Sequence, residues 1–325
     1  MRRTIDTLLL LALPASGKSE LRRYLGSLPP DVATRDLHLG PVVQLDDYPY
    51  VHMLRRIAEE LARMGEPPIF FPGPAKTFAN PWEWGTFINL LNEDYAALGK
   101  PLPRPESAAV WLFDRIDRAR EQTGVEPPLR ALQRDVRSGL VGALEDEASS
   151  LWADLAWVLP SWREGSTVVI EFARGGPTGS PLPLQPPYGY SYSLAELASE
   201  IKARASILYI WVTPEQSRRK NAERARPGRE GDASILFHGV PEEVMEAEYG
   251  VDDFIWLVEH GGEGVITVGG CDGLCTMPVA VFDNRADRTS FLRDDPDVWS
   301  AEDVDSLHEA LIDAFARLAA PSGVE

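Results

Sequence analysis

Residues 5–19 read I-D-T-L-L-L-L-A-L-P-A-S-G-K-S, an apolar run that ends in a turn of small residues and a lysine. Its first part, residues 5–13, is an apolar run with the length of a β-strand. A tight turn follows, Pro14-Ala15-Ser16-Gly17-Lys18-Ser19, and residues 20–25 then have the spacing of a helix. The sequence therefore predicts a buried strand that passes through a turn of small residues directly into a helix.

The residue types in this turn suit phosphate binding. Backbone N–H groups of the turn and of the helix N-terminus would point at one place, where the helix dipole also favours an anion. Gly17 allows close approach to a phosphate, Lys18 would neutralise the β- and γ-phosphates of a nucleotide, and the Ser19 hydroxyl would ligate Mg²⁺. The order strand, turn and helix predicts a P-loop. The competing interpretation is an ordinary turn with a solvated lysine.

Composition limits the class of protein. Hydrophobic residues make up 44% of the 325 residues and charged residues 25%, which is ordinary for a soluble globular chain. No run approaches the roughly 20 apolar residues of a membrane span, and the first apolar run leads into Gly-Lys-Ser instead of a cleavage site. We therefore expect a cytoplasmic protein without a membrane partner. A net charge of −18 argues against a nucleic-acid partner.

Alternating strand and helix patterns predict the fold class. Further strands are expected at 42–45, 167–172, 207–212 and 279–282, with helices between them. About five strands in this order predict an α/β core with a parallel, three-layer sheet. Residues 50–162 contain only helical patterns and Pro-rich breaks. We interpret residues 1–49 and 163–325 as the core, and residues 50–162 as a helical insertion on the acceptor side.

Polar residues follow several of the predicted strands. Asp46 and Asp47 end the second strand, Glu171 and Arg174 end the third, and Asn284 follows the last. In open α/β sheets, ligands bind beyond the carboxyl ends of the strands. The sequence therefore predicts that these side chains converge near the turn that contains Lys18.

With these motifs, the chain resembles the P-loop kinases of the nucleoside and nucleotide kinase type, over roughly residues 5–48 and 165–320. The resemblance implies a P-loop NTPase core that uses ATP, or another nucleoside triphosphate, and Mg²⁺. Ala12 and Ala15 stand where that family commonly has glycine. Because alanine enters positive φ only at a cost, we expect both to keep φ negative.

The segment Leu45-Asp46-Asp47-Tyr48 is similar to the D-D-F/Y of uridine-kinase-like and phosphoribulokinase-like enzymes. The resemblance implies that Asp46 or Asp47 takes the acceptor's proton or helps to hold Mg²⁺. It also places Asp47 and Tyr48 beside the acceptor. The alternative is a pair of aspartates that caps the next helix.

Two residues at the end of the third strand are also predicted to belong to the site. Glu171 follows four apolar residues, the Walker B arrangement, in which a carboxylate orders Mg²⁺ directly or through water. Arg174 lies where these kinases often hold the acceptor. The alternative for both is an ion pair between Glu171 and Arg174.

The run R-R-K-N-A-E-R-A-R at residues 218–226 is basic in an acidic protein. It resembles the lid of nucleotide kinases, with Arg218 at its helical entry beside the nucleotide and Arg224 and Arg226 over the transferring phosphoryl group. A solvated helix face is the alternative. By the same resemblance, Asn284 would contact the nucleotide base.

The function expected from the sequence is ATP- and Mg-dependent phosphoryl transfer to a small acceptor that carries a hydroxyl or a phosphate. The insertion and the loop at residues 175–192 would shape the acceptor pocket. Two alternatives stay open: an NTP-hydrolysing switch or ATPase that acts with a protein partner, and a nucleotide-binding module without catalysis.

Overall fold

The computed structural model describes residues 4–224, 239–270 and 273–320. Six strands form one sheet in the order β2-β3-β1-β4-β6-β5. They are β1 (Thr7–Leu11), β2 (Val42–Asp46), β3 (Thr167–Phe172), β4 (Ala205–Trp211), β5 (Val265–Val268) and β6 (Cys275–Asp283). The first four strands and β6 are parallel, and β5 pairs antiparallel with β6 at one edge.

The helices of the described residues account for most of the remaining chain. They are α1 (Lys18–Ser27), α2 (Pro30–Leu37), α3 (Tyr48–Met64), α4 (Glu83–Ala96), α5 (Ala108–Gln122), α6 (Arg134–Val158), α7 (Gly189–Ala195), α8 (Ser199–Lys202), α9 (Pro214–Arg224), α10 (Glu242–Glu248), α11 (Phe254–Glu259) and α12 (Ala301–Ala319). None of them combines the length and the apolar character needed to cross a bilayer.

Strand β1 lies near the middle of the sheet, between β3 and β4, and helices cover both of its faces. Leu8 and Leu10 pack into one core cluster with residues of α1 and α12. Leu9 and Leu11 pack into the other, with residues of α4, α7 and α11. Because successive side chains of a strand point to opposite faces, a strand covered on both faces must be apolar throughout. The result is an α/β fold with helices on both sides of a mostly parallel sheet.

Helices α3 to α6 lie in the chain between β2 and β3 and form a third apolar cluster. Buried ion pairs tie them together: the Arg115 guanidinium contacts Asp94 at 2.8 Å, and Tyr50 donates a hydrogen bond of 2.5 Å to the same carboxylate. Ile88 and Leu91 of α4 also pack in the cluster beneath the sheet. The helical segment is therefore fixed directly against the α/β core.

The structure corrects two expectations about the elements. The sheet has six strands instead of about five, because the four residues of β5 add an antiparallel edge strand too short to stand out in the sequence. The sequence Pro29-Pro30-Asp31 is typical of a polar turn, but in the structure α2 begins there, with Pro30 at its first position. Proline is well tolerated there because the first N–H groups of a helix have no partner within the helix.

Candidate phosphate-binding cleft

The turn at residues 14–19, called the Lys18 loop from here on, connects β1 to α1. Gly17 has φ 110° and caps the helix, which begins at Lys18. Ala15 also has a positive φ, of 55°, so the expectation of a negative φ at this position was wrong. A φ of this value lies in the small left-handed region that alanine enters at a cost of roughly 1–2 kcal/mol. Left-handed residues in a tight turn curve successive amides towards a common centre, which makes a concave site for an anion.

Buried hydrogen bonds hold the Lys18 loop from below. Asn284 is fully buried and its amide donates to the Ser16 carbonyl at 2.7 Å and to Thr289 Oγ1 at 2.8 Å. Its Oδ1 accepts from the Arg288 backbone, so every polar atom of the side chain is engaged within the protein. The base contact expected for Asn284 is therefore replaced by support of the loop. A Cβ at Gly17 would lie 2.4 Å from Thr289 Oγ1, so the packing there requires glycine.

The Lys18 loop opens into a cleft of about 330 Å³. Five of the six loop residues line it, the exception being Ser16, which is buried behind them. Asp46, Asp47 and Tyr48 line it from the end of β2, and Glu171 lines it from β3. The structure therefore brings the lysine and all three carboxylates predicted from the sequence to one concave surface.

Asp46 and Glu171 lie side by side because they are directly opposite each other in the register of β2 and β3. The Arg22 guanidinium is 3.3 Å from Glu171 Oε2 and 3.6 Å from Asp46 Oδ2. Burial and the neighbouring charges of Glu171 and Asp47 raise the pKa of Asp46 to about 8. The two neighbouring carboxyl groups therefore do not both carry a full charge easily, and a proton or another cation between them relieves their repulsion. No group of three or more His, Cys, Asp or Glu side chains arranged to hold a metal occurs among the described residues.

Lys18 begins α1 and reaches back along the loop, where its Nζ donates to the Ala12 carbonyl at 3.0 Å. Burial lowers the pKa of Lys18, while the charges of Glu171, Asp46 and Asp47 oppose that shift. The ammonium group of Lys18 therefore interacts electrostatically with these three carboxylates, beyond the end of β1.

Asp47 is held by an arginine that lies behind the cleft. Arg174 is fully buried and donates to Asp47 Oδ2 at 2.6 Å and to Ser193 Oγ at 3.0 Å. Its guanidinium also lies 4.6 Å from the ring centre of Trp84. Arg174 is not among the residues that line the cleft. The structure therefore does not place Arg174 for the direct acceptor contact that the sequence predicts; its hydrogen bond fixes the position of Asp47 instead.

Three of the four arginines of the basic run, Arg218, Arg224 and Arg226, were predicted to act on the nucleotide, and they are placed differently from one another. Arg224, the last residue of α9, lines the cleft, where burial lowers its pKa and the charge of Glu20 opposes that shift. Arg218 does not line the cleft, and its guanidinium is 3.6 Å from Glu215 on the same helix. Arg226 lies outside the described residues. Helix α9 is fixed to the Lys18 loop because Ser217 Oγ donates to the Pro14 carbonyl at 2.7 Å.

The end of the cleft away from the loop, called the acceptor end, has mainly apolar walls. They come from α3, from the segment before α4, from α4 itself, from α10 and from the residue after α10: Val51, Phe78, Trp84, Val244 and Tyr249. No residue of 175–192 lines the cleft, so the expectation that this loop shapes it was wrong.

From the sequence, Trp82 and Trp84 could line an acceptor pocket because they lie beside a loop rich in proline and phenylalanine; Trp84 lines the cleft and Trp82 does not. The other wall residues were not predicted. They come from segments far apart in the chain, and in the sequence each has only the pattern of an ordinary core residue.

Comparisons with protein-family models, with curated proteins and with solved structures found no match for this chain. A function is therefore inferred from the chemistry of the cleft. Its two ends differ: one offers backbone amides and a lysine beside paired carboxylates, and the other offers aromatic and aliphatic surface. A cleft of this size and character suits small-molecule binding.

Proposed function

We propose that the protein is a phosphotransferase that moves the γ-phosphoryl group of ATP, or of another nucleoside triphosphate, to a hydroxyl of a small acceptor. One observation carries this proposal: the Lys18 loop and the carboxylates Asp46, Asp47 and Glu171 line one cleft. Phosphoryl transfer needs little covalent chemistry from a protein, and positioning with charge neutralisation supplies most of the catalysis.

The Lys18 loop would bind the phosphates of the nucleotide. Amides of residues 14–19 and the N-terminus of α1 supply partial positive charge, and Lys18 supplies a full one. Phosphate would take the place of the Ala12 carbonyl as the partner of Lys18 Nζ. Arg224, at the rim, adds a guanidinium where charge develops in the transition state.

The metal of the proposal is Mg²⁺, and the residues fit it. Asp46 and Glu171 provide hard oxygen donors side by side. Both already contact the guanidinium of Arg22, which supports a positive charge between them. Ser19, Asp46 and Glu171 would hold the ion, which commonly keeps several waters and substrate oxygens as further ligands. When bound, Mg²⁺ neutralises charge on the phosphate oxygens.

Asp47 would bind the acceptor hydroxyl and receive its proton. It stands at the N-terminus of α3, between the loop and the acceptor end, with its carboxylate fixed by Arg174. The acceptor oxygen forms a bond to the γ-phosphorus, and the bond from that phosphorus to the bridging oxygen breaks, leaving its electron pair on the nucleoside diphosphate. Proton acceptance by a positioned carboxylate assists this step.

The test is a measurement of nucleoside diphosphate formation from ATP and Mg²⁺ with a panel of nucleosides, sugars, aromatic alcohols and hydroxyl-bearing antibiotics. We expect at least one acceptor to raise turnover in the wild-type protein and in Lys100→Ala, whose lysine is exposed far from the cleft, but not in Lys18→Ala. Turnover no higher than that of Lys18→Ala with every acceptor would refute the proposal. So would hydrolysis that needs a protein partner and no acceptor.

A further inference from the structure

The acceptor end of the cleft presents a preformed aromatic surface. The rings of Phe78 and Trp84 meet edge to face with centroids 5.0 Å apart, and those of Trp84 and Tyr249 meet similarly at 5.8 Å. Trp84 is almost fully buried and its indole N–H donates to Glu248 at 2.8 Å, so its ring is fixed in orientation. A flat ring is the ligand shape that such a surface accepts at little cost in ordering.

The cationic groups nearest this surface already have partners. Arg55 donates to the backbone carbonyls of Pro74 at 2.8 Å and Lys76 at 3.2 Å, and its guanidinium lies 4.0 Å from the ring centre of Phe71. Arg174 donates to Asp47 and Ser193 behind the wall and does not line the cleft. To pair with Arg55, a phosphate on the acceptor would have to displace these carbonyl partners.

The anionic groups near this surface are also compensated. Asp47 is paired with Arg174, and Asp46 has Arg22 within 3.6 Å. Glu248 is buried behind Trp84, and burial raises its pKa to about 7. A cationic acceptor therefore finds no unpaired carboxylate in the described part of this end. A sugar or a nucleobase would bury several polar groups against apolar walls, and each one left without a partner costs affinity.

We infer that the acceptor is an uncharged compound with a mainly apolar ring body and a reactive hydroxyl, an aromatic or alicyclic alcohol. The ring lies against Phe78 and Trp84, and the hydroxyl lies at Asp47. This inference rests on the proposed function because it names the acceptor for the same cleft. It excludes the phosphate-bearing acceptors that the sequence alone left open.

The experiment measures acceptor binding by saturation-transfer NMR on the full-length protein, with and without Mg²⁺ and ADP. The probes are naphthylethanol, uridine, uridine monophosphate and glucose. We expect naphthylethanol to bind about tenfold more tightly than the other three, because their polar groups lose hydrogen bonds in the apolar end. Equal or tighter binding of any of the other three, or no binding of naphthylethanol, overturns the inference.

Two variants connect binding to the proposed surface. Phe78→Leu removes an aromatic face and should weaken naphthylethanol binding about fivefold, whereas Phe291→Leu, a phenylalanine in ring contact with Trp299 outside the cleft, should not. Val244→Thr keeps the shape of the wall but adds a hydroxyl, and should also weaken binding. Unchanged binding in both cleft variants overturns the inference. The proposed function is tested separately, by measuring ATP binding to the wild type and to Lys18→Ala. No ATP binding by the wild type, or equal affinity in the two proteins, would count against the proposed function and not against the acceptor class.

Discussion

Glu248 allows a prediction about stability and pH that can be worked out in detail. It is buried on α10 and accepts the hydrogen bond from the indole N–H of Trp84. Burial raises its pKa from the ordinary value of 4.5 to about 7. The replacement Glu248→Gln keeps an acceptor for Trp84 but cannot ionise, so it isolates the cost of placing a charge at this position.

The sign of the effect follows from where the proton binds more tightly. The folded protein holds the Glu248 proton more strongly than the unfolded chain does, so the stability that this proton contributes is present below pH 4.5 and is lost as the pH rises to about 7. The separation of the two pKa values corresponds to about 3 kcal/mol of free energy of unfolding. Glu248→Gln should therefore match the wild type near pH 4 and exceed it by about 3 kcal/mol near pH 8.

Urea unfolding of both proteins, followed by tryptophan fluorescence across this pH range, measures the difference. Glu246→Gln, on the exposed side of the same helix, is the matched control and should show no such trend. A difference between Glu248→Gln and the wild type that stays constant with pH would refute the reasoning, because it would mean that Glu248 ionises as readily in the folded state as in the unfolded one.

Three further predictions concern the loop and its supports. Gly17→Ala places a Cβ against Thr289 and requires alanine to adopt a left-handed backbone conformation, so calorimetry should find Mg-ATP binding abolished. Gly26→Ala, whose Cβ would enter open space, is the control and should bind Mg-ATP normally. Equal affinities of the two variants would contradict this. Asn284→Ala leaves buried groups unpaired and should lower the free energy of unfolding by about 1–3 kcal/mol, and an unchanged urea midpoint would argue against it. Arg174→Met should lower the free energy of unfolding by about 3–5 kcal/mol, because it leaves Asp47 buried without its partner. The double variant with Asp47→Asn should recover part of that loss, and no recovery would count against the pairing.

The sheet and the floor of the cleft were predictable because local pattern determines them. Strands buried on both faces must be continuously apolar, which reveals Leu8 to Leu11 and residues 167–172 in the sequence. Parallel strands end at one edge, so carboxylates that follow two of them must converge, as Asp46 and Glu171 do. Glycine and lysine in the connecting turn mark the anion site by their chemistry.

The remaining features depend on tertiary packing that no local pattern records. Ala15 has a positive φ against the preference of alanine, and the carbonyls on either side of it, those of Pro14 and Ser16, accept hydrogen bonds from the distant residues Ser217 and Asn284. Asn284 lies at the predicted strand end, but its amide points under the loop instead of into the cleft. Trp84 and Tyr249 are distant in sequence, yet their rings meet at the acceptor end, Trp84 near the start of α4 and Tyr249 directly after α10.

The most direct test of the central claim is a crystal structure of the protein grown with Mg²⁺ and ADP. We expect the β-phosphate within hydrogen-bonding distance of the amides of residues 15–19, with Lys18 Nζ turned from the Ala12 carbonyl to the phosphate. We also expect the metal between Ser19 and the carboxylates of Asp46 and Glu171. A nucleotide bound elsewhere, or a Lys18 loop without a phosphate at saturating ADP, would show that the Lys18 loop is not a nucleotide site.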